Sequence, residues 1–96
     1  MTTLPRILAQ LQERKPYLQE KYPLAMIGVF GSYSRGEAHS ESDVDILVEF
    51  SRPVGFEAAD LAMELEEILG ENVDLVSKKA VSERMMPFVE QSLILI

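Results

Sequence analysis

The sequence predicts an α/β (α+β) fold in which helices pack on a small mixed β-sheet. Three short apolar runs, at residues 24–30, 43–50 and 72–77, have the length and composition of strands. Two longer segments carry apolar residues at helical spacing, one before the first run and one between the second and third. This alternation of strands and helices is typical of a mixed sheet covered by helices.

Composition limits the class of protein. The chain has 96 residues, the size of one small domain, and we expect residues 1–96 to form a single domain. Cysteine is absent, which excludes a disulfide framework and a thiolate site. No apolar run approaches the ~20 residues that span a bilayer. We therefore expect a cytoplasmic protein that has no membrane partner.

The charge balance bears on the partners. A formal net charge of −7 does not suit a protein whose direct substrate is nucleic acid, because binding a phosphate backbone requires a basic surface. The same charge is compatible with bound divalent cations and with a basic protein partner. A nucleotide is not excluded, since a bound metal reverses the local sign.

The first and last helices each contain a proline. Thr3 is placed to cap the first helix, and Pro16 is predicted to break or restart it. A last helix is expected from Ser82 onward, although Pro87 counts against it. The apolar end, residues 92–96, fits either the close of that helix or a short strand.

The connections predict how the strands pair. Residues 31–42 have room for a turn, one helical turn and a loop but are short for a crossover, so the first two strands should be antiparallel. A full helix over residues 56–69, ended by Gly70, joins the second strand to the third. That connection favours a right-handed parallel crossover.

Asp43 and Asp45 are the sharpest chemical feature of the sequence. Residues two apart in a strand point to the same face and lie about 6.6 Å apart along the chain. Two carboxylate charges at ~4 Å repel by about 4 kcal/mol even in a partly screened medium, which indicates a shared cation. Carboxylate oxygens suit magnesium or manganese. By itself, the pair also fits one aspartate that caps a turn and one that faces water.

Gly31 and Ser32 follow the first strand directly. Glycine lets the backbone turn sharply and lets a phosphate come close. The free N–H groups beyond it, with the serine hydroxyl, are predicted to form an anion site. An ordinary strand-ending turn is the simpler explanation of these two residues by themselves.

Asp74 stands between Val73 and Leu75 in the third strand. An acidic residue in an apolar strand is unfavourable unless its charge is satisfied. If the third strand lies beside the second, Asp74 reaches the face that carries Asp43 and Asp45. It could there complete a metal site or act as a general base, and the alternative is an aspartate at an exposed strand edge.

In combination, these residues resemble the polymerase-β-like nucleotidyltransferase superfamily, and in particular its minimal nucleotidyltransferases, along nearly the whole chain. Residues 28–38, 42–50 and 73–76 carry the resemblance, because they contain the Gly-Ser turn, the Asp-x-Asp pair and the in-strand acid. That family lacks the extra domains by which templated polymerases hold nucleic acid, and we expect none within residues 1–96.

The resemblance implies a role for each residue. The Gly-Ser pair would hold the β- and γ-phosphates of a nucleoside triphosphate, and Arg35 would either add a phosphate contact or lie in solvent. Asp43 and Asp45 would bind one or two Mg²⁺ ions, with Mn²⁺ as the alternative metal. Asp74 would join the second metal and help to deprotonate the attacking hydroxyl.

Members of this family commonly occur as antitoxins of bacterial or archaeal pairs with a HEPN-domain ribonuclease toxin. The resemblance therefore implies transfer of AMP from ATP to a hydroxyl of such a toxin, with tyrosine as the expected acceptor. Two alternatives stay open: a non-catalytic antitoxin that acts by binding, and a nucleotidyltransferase of small hydroxylated molecules. Three retained carboxylates count against the first, and a chain too short to enclose the acceptor counts against the second.

Overall fold

Four α-helices and a four-stranded mixed sheet make up the computed structural model, which describes all of residues 1–96. The elements, in chain order, are α1 (Leu4–Lys21), β1 (Leu24–Phe30), α2 (Ser32–Arg35), β2 (Val44–Phe50), α3 (Glu57–Leu69), β3 (Val73–Ser77), a 3-10 turn (Lys78–Ala80), α4 (Met86–Ser92) and β4 (Ile94–Leu95). No helix combines the length and the apolar character that a membrane crossing requires.

The sheet has the strand order β3-β2-β1-β4. β1 is antiparallel to both β2 and β4, whereas β2 is parallel to β3. Both predicted pairings are therefore confirmed, the antiparallel one across the short connection and the parallel one across α3. β2 begins at Val44 rather than at Asp43, because the N–H of Val44 makes the first bond to the next strand, 2.9 Å from the carbonyl oxygen of Asn72.

The expected break at Pro16 is wrong, because α1 continues through it from Leu4 to Lys21. Proline inside a helix removes one backbone hydrogen bond and costs about 3 kcal/mol. Beyond the proline, Leu18 and Tyr22 are buried, with 1% and 3% of their surface exposed. Burying two large side chains stabilises the chain by about 3–6 kcal/mol, which outweighs that cost. Thr3 caps the helix as predicted and accepts the N–H of Arg6.

The main core lies between one face of the sheet and helices α1 and α3. Its fully covered members on these elements are Ile7, Leu11, Leu18, Val29, Val44, Ile46, Val48, Leu61 and Leu65. In β2 the residues Val44, Ile46 and Val48 all face this core. Because side chains alternate along a strand, Asp45 and Leu47 face the opposite side of the sheet.

The C-terminal residues cover part of that opposite side. β4 pairs Leu95 with Gly28, and the N–H of Ile96 donates to the carbonyl of Ile27. Glycine at position 28 leaves room for the C-terminal residues, since a Cβ there would lie 2.7 Å from Cδ1 of Leu93 and 3.0 Å from the carbonyl oxygen of Ile94. Of the two alternatives for residues 92–96, the structure shows parts of both: Ser92 closes α4, and Ile94–Leu95 form a short strand.

Helix α4 begins at Met86, later than expected. Pro87 lies in its first turn, where a backbone N–H has no helical partner and proline is tolerated. Ser82 instead closes the preceding turn, with its hydroxyl accepting the N–H of Met85 at 3.3 Å. Pro87 therefore does not prevent the helix and affects only where it starts.

A polar cluster at the end of α1 ties this helix to α3. The Tyr22 hydroxyl donates to Oε2 of Glu64 at 2.5 Å, and Nζ of Lys21 lies 3.2 Å from the same oxygen. Burial by itself raises the pKa of Glu64, but hydrogen bonds from the neighbouring tyrosines and Lys21 outweigh it and lower that pKa below 4.5. Burial also raises the pKa of Tyr22 to about 12, so the hydroxyl remains a donor at neutral pH.

We expect Glu64→Gln to lower the free energy of unfolding at neutral pH by about 1 kcal/mol, because a charge-assisted hydrogen bond becomes a neutral one. The folded-state pKa of Glu64 lies below its unfolded value, so its contribution is complete above pH 4.5 and is lost as pH falls through the folded-state pKa. Urea denaturation of both proteins across the acidic range measures this difference. Glu67→Gln, an exposed change on the same helix, should shift stability by less than ~0.5 kcal/mol. If the free energy of unfolding depended on pH equally in wild type and Glu64→Gln, the lowered pKa of Glu64 would be contradicted.

Candidate active site

The three predicted acids lie on one face of the sheet. Asp45 in β2 and Asp74 in β3 are register partners in neighbouring parallel strands, which run about 4.8 Å apart. Asp43 immediately precedes β2 and is two residues from Asp45, so it belongs to the same face. The structure thus gathers all three carboxylates on the side of the sheet away from α1 and α3.

Negative charge is concentrated on this face. Asp45 is half-buried, whereas Asp43 and Asp74 are exposed. Burial raises the pKa of Asp45 to about 6, repulsion from Asp74 and then Asp43 adds to the rise, and Arg35 opposes it. No lysine or arginine forms an ion pair with any of the three carboxylates. The face therefore favours a cation.

Gly31 is packed against Asp45. Its φ of 79° and ψ of −152° are accessible in practice only to glycine. A Cβ at this position would overlap Oδ2 of Asp45, and it would also lie 2.9 Å from Cγ. The glycine therefore serves both the backbone turn after β1 and the close approach of that turn to the carboxylate.

Helix α2 carries the other predicted nucleotide-binding residues. Ser32 is its first residue and is half-buried, and Arg35 is its last and is exposed. Nε of Arg35 lies 3.4 Å from Oε2 of Glu37, and Arg35 is near enough to Asp45 to lower the pKa of that carboxyl. The structure thus places Ser32 and Arg35 beside the acidic face.

Helix α2 is anchored to the sheet. Tyr33 is buried, with 4% of its surface exposed, and belongs to the main core. The Ser34 hydroxyl donates to the carbonyl of Val29 at 3.0 Å. Gly36, with a φ of 73°, ends the helix. A single helical turn would be unstable in isolation, so these contacts hold it in place.

Sequence reasoning missed one residue at this site. The N–H of Gly31 donates to Oγ of Ser92 at 3.0 Å, across 61 positions of sequence. No local pattern marks Ser92, because only the pairing of β4 with β1 brings it to the turn. The predicted anion site uses the N–H groups beyond Gly31, so the bond to Ser92 occupies none of them.

The donor set fits a hard divalent cation, because carboxylate oxygens are the ligands that magnesium and manganese prefer. The carboxylates do not form a closed coordination shell, since the structure contains no group of three or more His, Cys, Asp or Glu side chains arranged to hold a metal. An open arrangement suits magnesium, which keeps several waters and binds substrate phosphates through one or two carboxylates. The metal roles of Asp43, Asp45 and Asp74 stay predictions.

This fold and this arrangement of a glycine turn beside paired acids define a nucleotidyltransferase. The sequence profile of the nucleotidyltransferase domain matches residues 11–95. The chain belongs to the nucleotidyltransferase domain family and has the polymerase-β-like nucleotidyltransferase fold.

Within this family, the chain is similar to several individual proteins. Protein adenylyltransferase MntA of Thermococcus cleftensis is 47% identical over 81 residues, which are 83% of this chain and 82% of that protein. A solved structure assigned as a minimal nucleotidyltransferase superposes with a TM-score of 0.84 at 30% identity and covers 99% of this chain and 97% of its own. A chain from the solved complex of the tri-AMPylated Shewanella oneidensis HEPN toxin with MNT antitoxin superposes with a TM-score of 0.69 at 25% identity. The match covers 93% of this chain and 70% of that one. The resemblance to minimal nucleotidyltransferases is thereby confirmed.

Two glycines with positive φ allow a test of the turn: Gly31, with a ψ of −152°, has a conformation that only glycine tolerates, and Gly36, with a ψ of 24°, has the milder left-handed one. Gly31→Ala adds a Cβ that overlaps Asp45, whereas Gly36→Ala meets no atom within 4 Å, and both positions have positive φ. We expect Gly36→Ala to lower the free energy of unfolding by about 1 kcal/mol, from backbone strain alone. Gly31→Ala should lower it by at least ~1 kcal/mol more, because the overlap with Asp45 and the more strained backbone conformation both add to the loss. Chemical denaturation measures both, and equal losses would show that Gly31 does not pack against Asp45.

Proposed function

We propose that this protein transfers AMP from ATP to a tyrosine hydroxyl of a partner HEPN-domain toxin and acts as its antitoxin. The observation that carries the proposal is the register of β2 and β3, which sets Asp45 beside Asp74 and next to the Gly31 turn. The relatives support the acceptor class, since one is named a protein adenylyltransferase and another structure contains an AMPylated toxin. Residues 1–96 would be a single domain, working in the cytoplasm.

The glycine turn and the acidic face would bind different parts of the substrate. Gly31 and Ser32 would hold the β- and γ-phosphates, and Arg35 would reach a phosphate oxygen. Asp43, Asp45 and Asp74 would hold magnesium, which, when bound, neutralises the triphosphate and polarises the α-phosphate. Repulsion among the carboxylates, which raises the pKa of Asp45, would be relieved in that state.

Bond changes in the reaction are few. The acceptor oxygen would form a bond to the α-phosphorus while the bond from that phosphorus to the oxygen bridging to the β-phosphate breaks. Pyrophosphate leaves with the bonding electron pair. Asp74, which is exposed on the edge strand β3, would accept the proton of the incoming hydroxyl, and its exposure supports this role. The role of these chain residues is to orient the phosphates and to take up that proton.

The acidic face is open to a large acceptor. Asp43 and Asp74 are exposed, and no strand pairs with the outer edge of β3. A small molecule would be left largely in solvent there, because small-ligand sites normally enclose most of the ligand. A protein acceptor brings its own covering surface, which favours a tyrosine on a partner.

Asp45→Asn should reduce AMP transfer by at least ~100-fold, because it removes a carboxylate that would hold the cation that neutralises the triphosphate. The measurement uses ATP labelled at the α-phosphate, magnesium and the protein encoded beside this chain. Asp60→Asn, an exposed change on α3, is the control and should leave the rate within about twofold. The proposal is supported if wild type and Asp60→Asn label the partner and Asp45→Asn does not. No label with any variant, together with equal silencing of the partner, would instead establish an antitoxin that acts by contact.

Removal of divalent cations tests the metal separately. Chelation should abolish labelling of the partner, and added Mg²⁺ or Mn²⁺ should restore it, because both suit a carboxylate donor set. Undiminished labelling after exhaustive chelation would contradict the metal roles of the three acids.

A further inference from the structure

One hydrogen bond connects the C-terminal end of the chain to the glycine turn. The N–H of Gly31 donates to Oγ of Ser92 at 3.0 Å. On its other side, the carbonyl of Gly31 accepts the N–H of Arg35, also at 3.0 Å. Both peptide groups that flank Gly31 are therefore fixed, one by α2 itself and the other by Ser92.

The packing of β4 on β1 determines where Ser92 lies. Ser92 ends α4, and two residues later Ile94 pairs with Val29 of β1. Leu93 lies over Gly28, where the absence of a Cβ leaves room for its side chain. The backbone around Ser92 is therefore positioned independently of the Ser92 hydroxyl, so removing that hydroxyl should leave β4 in place.

Gly31 needs such a fixed partner. Glycine has the widest backbone freedom of all residues, and the conformation at Gly31 is one of many that it can adopt. The Asp45 carboxylate blocks one side of this residue, which prevents a Cβ but does not orient the peptide. The peptide that leads into Gly31 is oriented by Ser92.

We propose that Ser92 is a positioning residue for the nucleotide site: its hydroxyl holds the Gly31 peptide in the orientation that receives the triphosphate. The inference rests on the proposed function, in which Gly31 contacts the phosphates. Ser92 itself does not touch the nucleotide. Its effect is to keep the turn in one conformation before the ligand arrives, which reduces the entropy that binding must remove.

The first measurement follows the hydrogen bond itself. In protein labelled with ¹⁵N, Ser92→Ala should shift the Gly31 amide proton upfield and speed its exchange with solvent by at least ~5-fold, because one hydrogen bond is lost. Ser92→Thr keeps the hydroxyl and should leave the amide protected. An unchanged Gly31 amide in Ser92→Ala would overturn the inference without reference to any activity.

The second measurement follows binding of Mg²⁺ with a non-hydrolysable ATP analogue by calorimetry. Ser92→Ala should bind about fivefold more weakly than wild type, and Ser92→Thr within about twofold of it. Ser82→Ala is the matched control, because its hydroxyl also accepts one backbone N–H near α4 but lies away from the turn. It should bind as wild type does.

The outcomes separate the inference from the proposed function. Wild-type affinity in Ser92→Ala, with the Gly31 amide exposed, overturns the positioning role and leaves the proposed function standing. No binding of the analogue by wild type contradicts the proposed function, and with it the inference. Thermal unfolding of each variant shows whether it is folded, and equal weakening in Ser82→Ala would assign the effect to general destabilisation.

Discussion

The parallel register of β2 and β3 is the constraint on which the site depends. It places Asp45 opposite Asp74, two like charges that would separate if the strands were free to slide. The register is fixed from the other face, where Val44, Ile46 and Val48 are completely buried against α1 and α3. A slip of β2 by one residue would turn these apolar side chains to the face that carries the acids and would turn Asp45 into the core. Core burial on one face therefore holds an unfavourable cluster of charge on the other.

Two glycines allow close contacts between the acidic face, β1 and the C-terminal residues. Gly31 lets the turn after β1 contact the Asp45 carboxylate, and Gly28 lets Leu93 lie on β1. The consequence is that the C-terminal strand and the acidic face meet at one turn, although they are far apart in the sequence. Ser92 marks this junction, since its hydroxyl holds the peptide that leads into Gly31.

Much of the fold could be predicted because the signals are local. Strand β1, helix α3 and the capping glycine at position 70 follow from apolar periodicity and from the left-handed conformation that glycine adopts. Pro16 was misjudged because a local rule was applied alone, while burial of Leu18 and Tyr22 beyond it decides the matter. The late start of α4 has the same origin, since Pro87 is tolerated only in a first turn.

The chemical groups of the candidate site can be read from the sequence alone: a Gly-Ser turn after one strand, an Asp-x-Asp pair at the head of the next and an acid within the third. These are short-range features, and each residue type limits what its position can do. The tertiary structure decided which of these residues meet. The pairing of Asp45 with Asp74, the contact of Gly31 with Asp45 and the hydrogen bond from Gly31 to Ser92 all arise from strand register. Register is set by burial summed over the whole sheet, and no local segment of the sequence contains that sum.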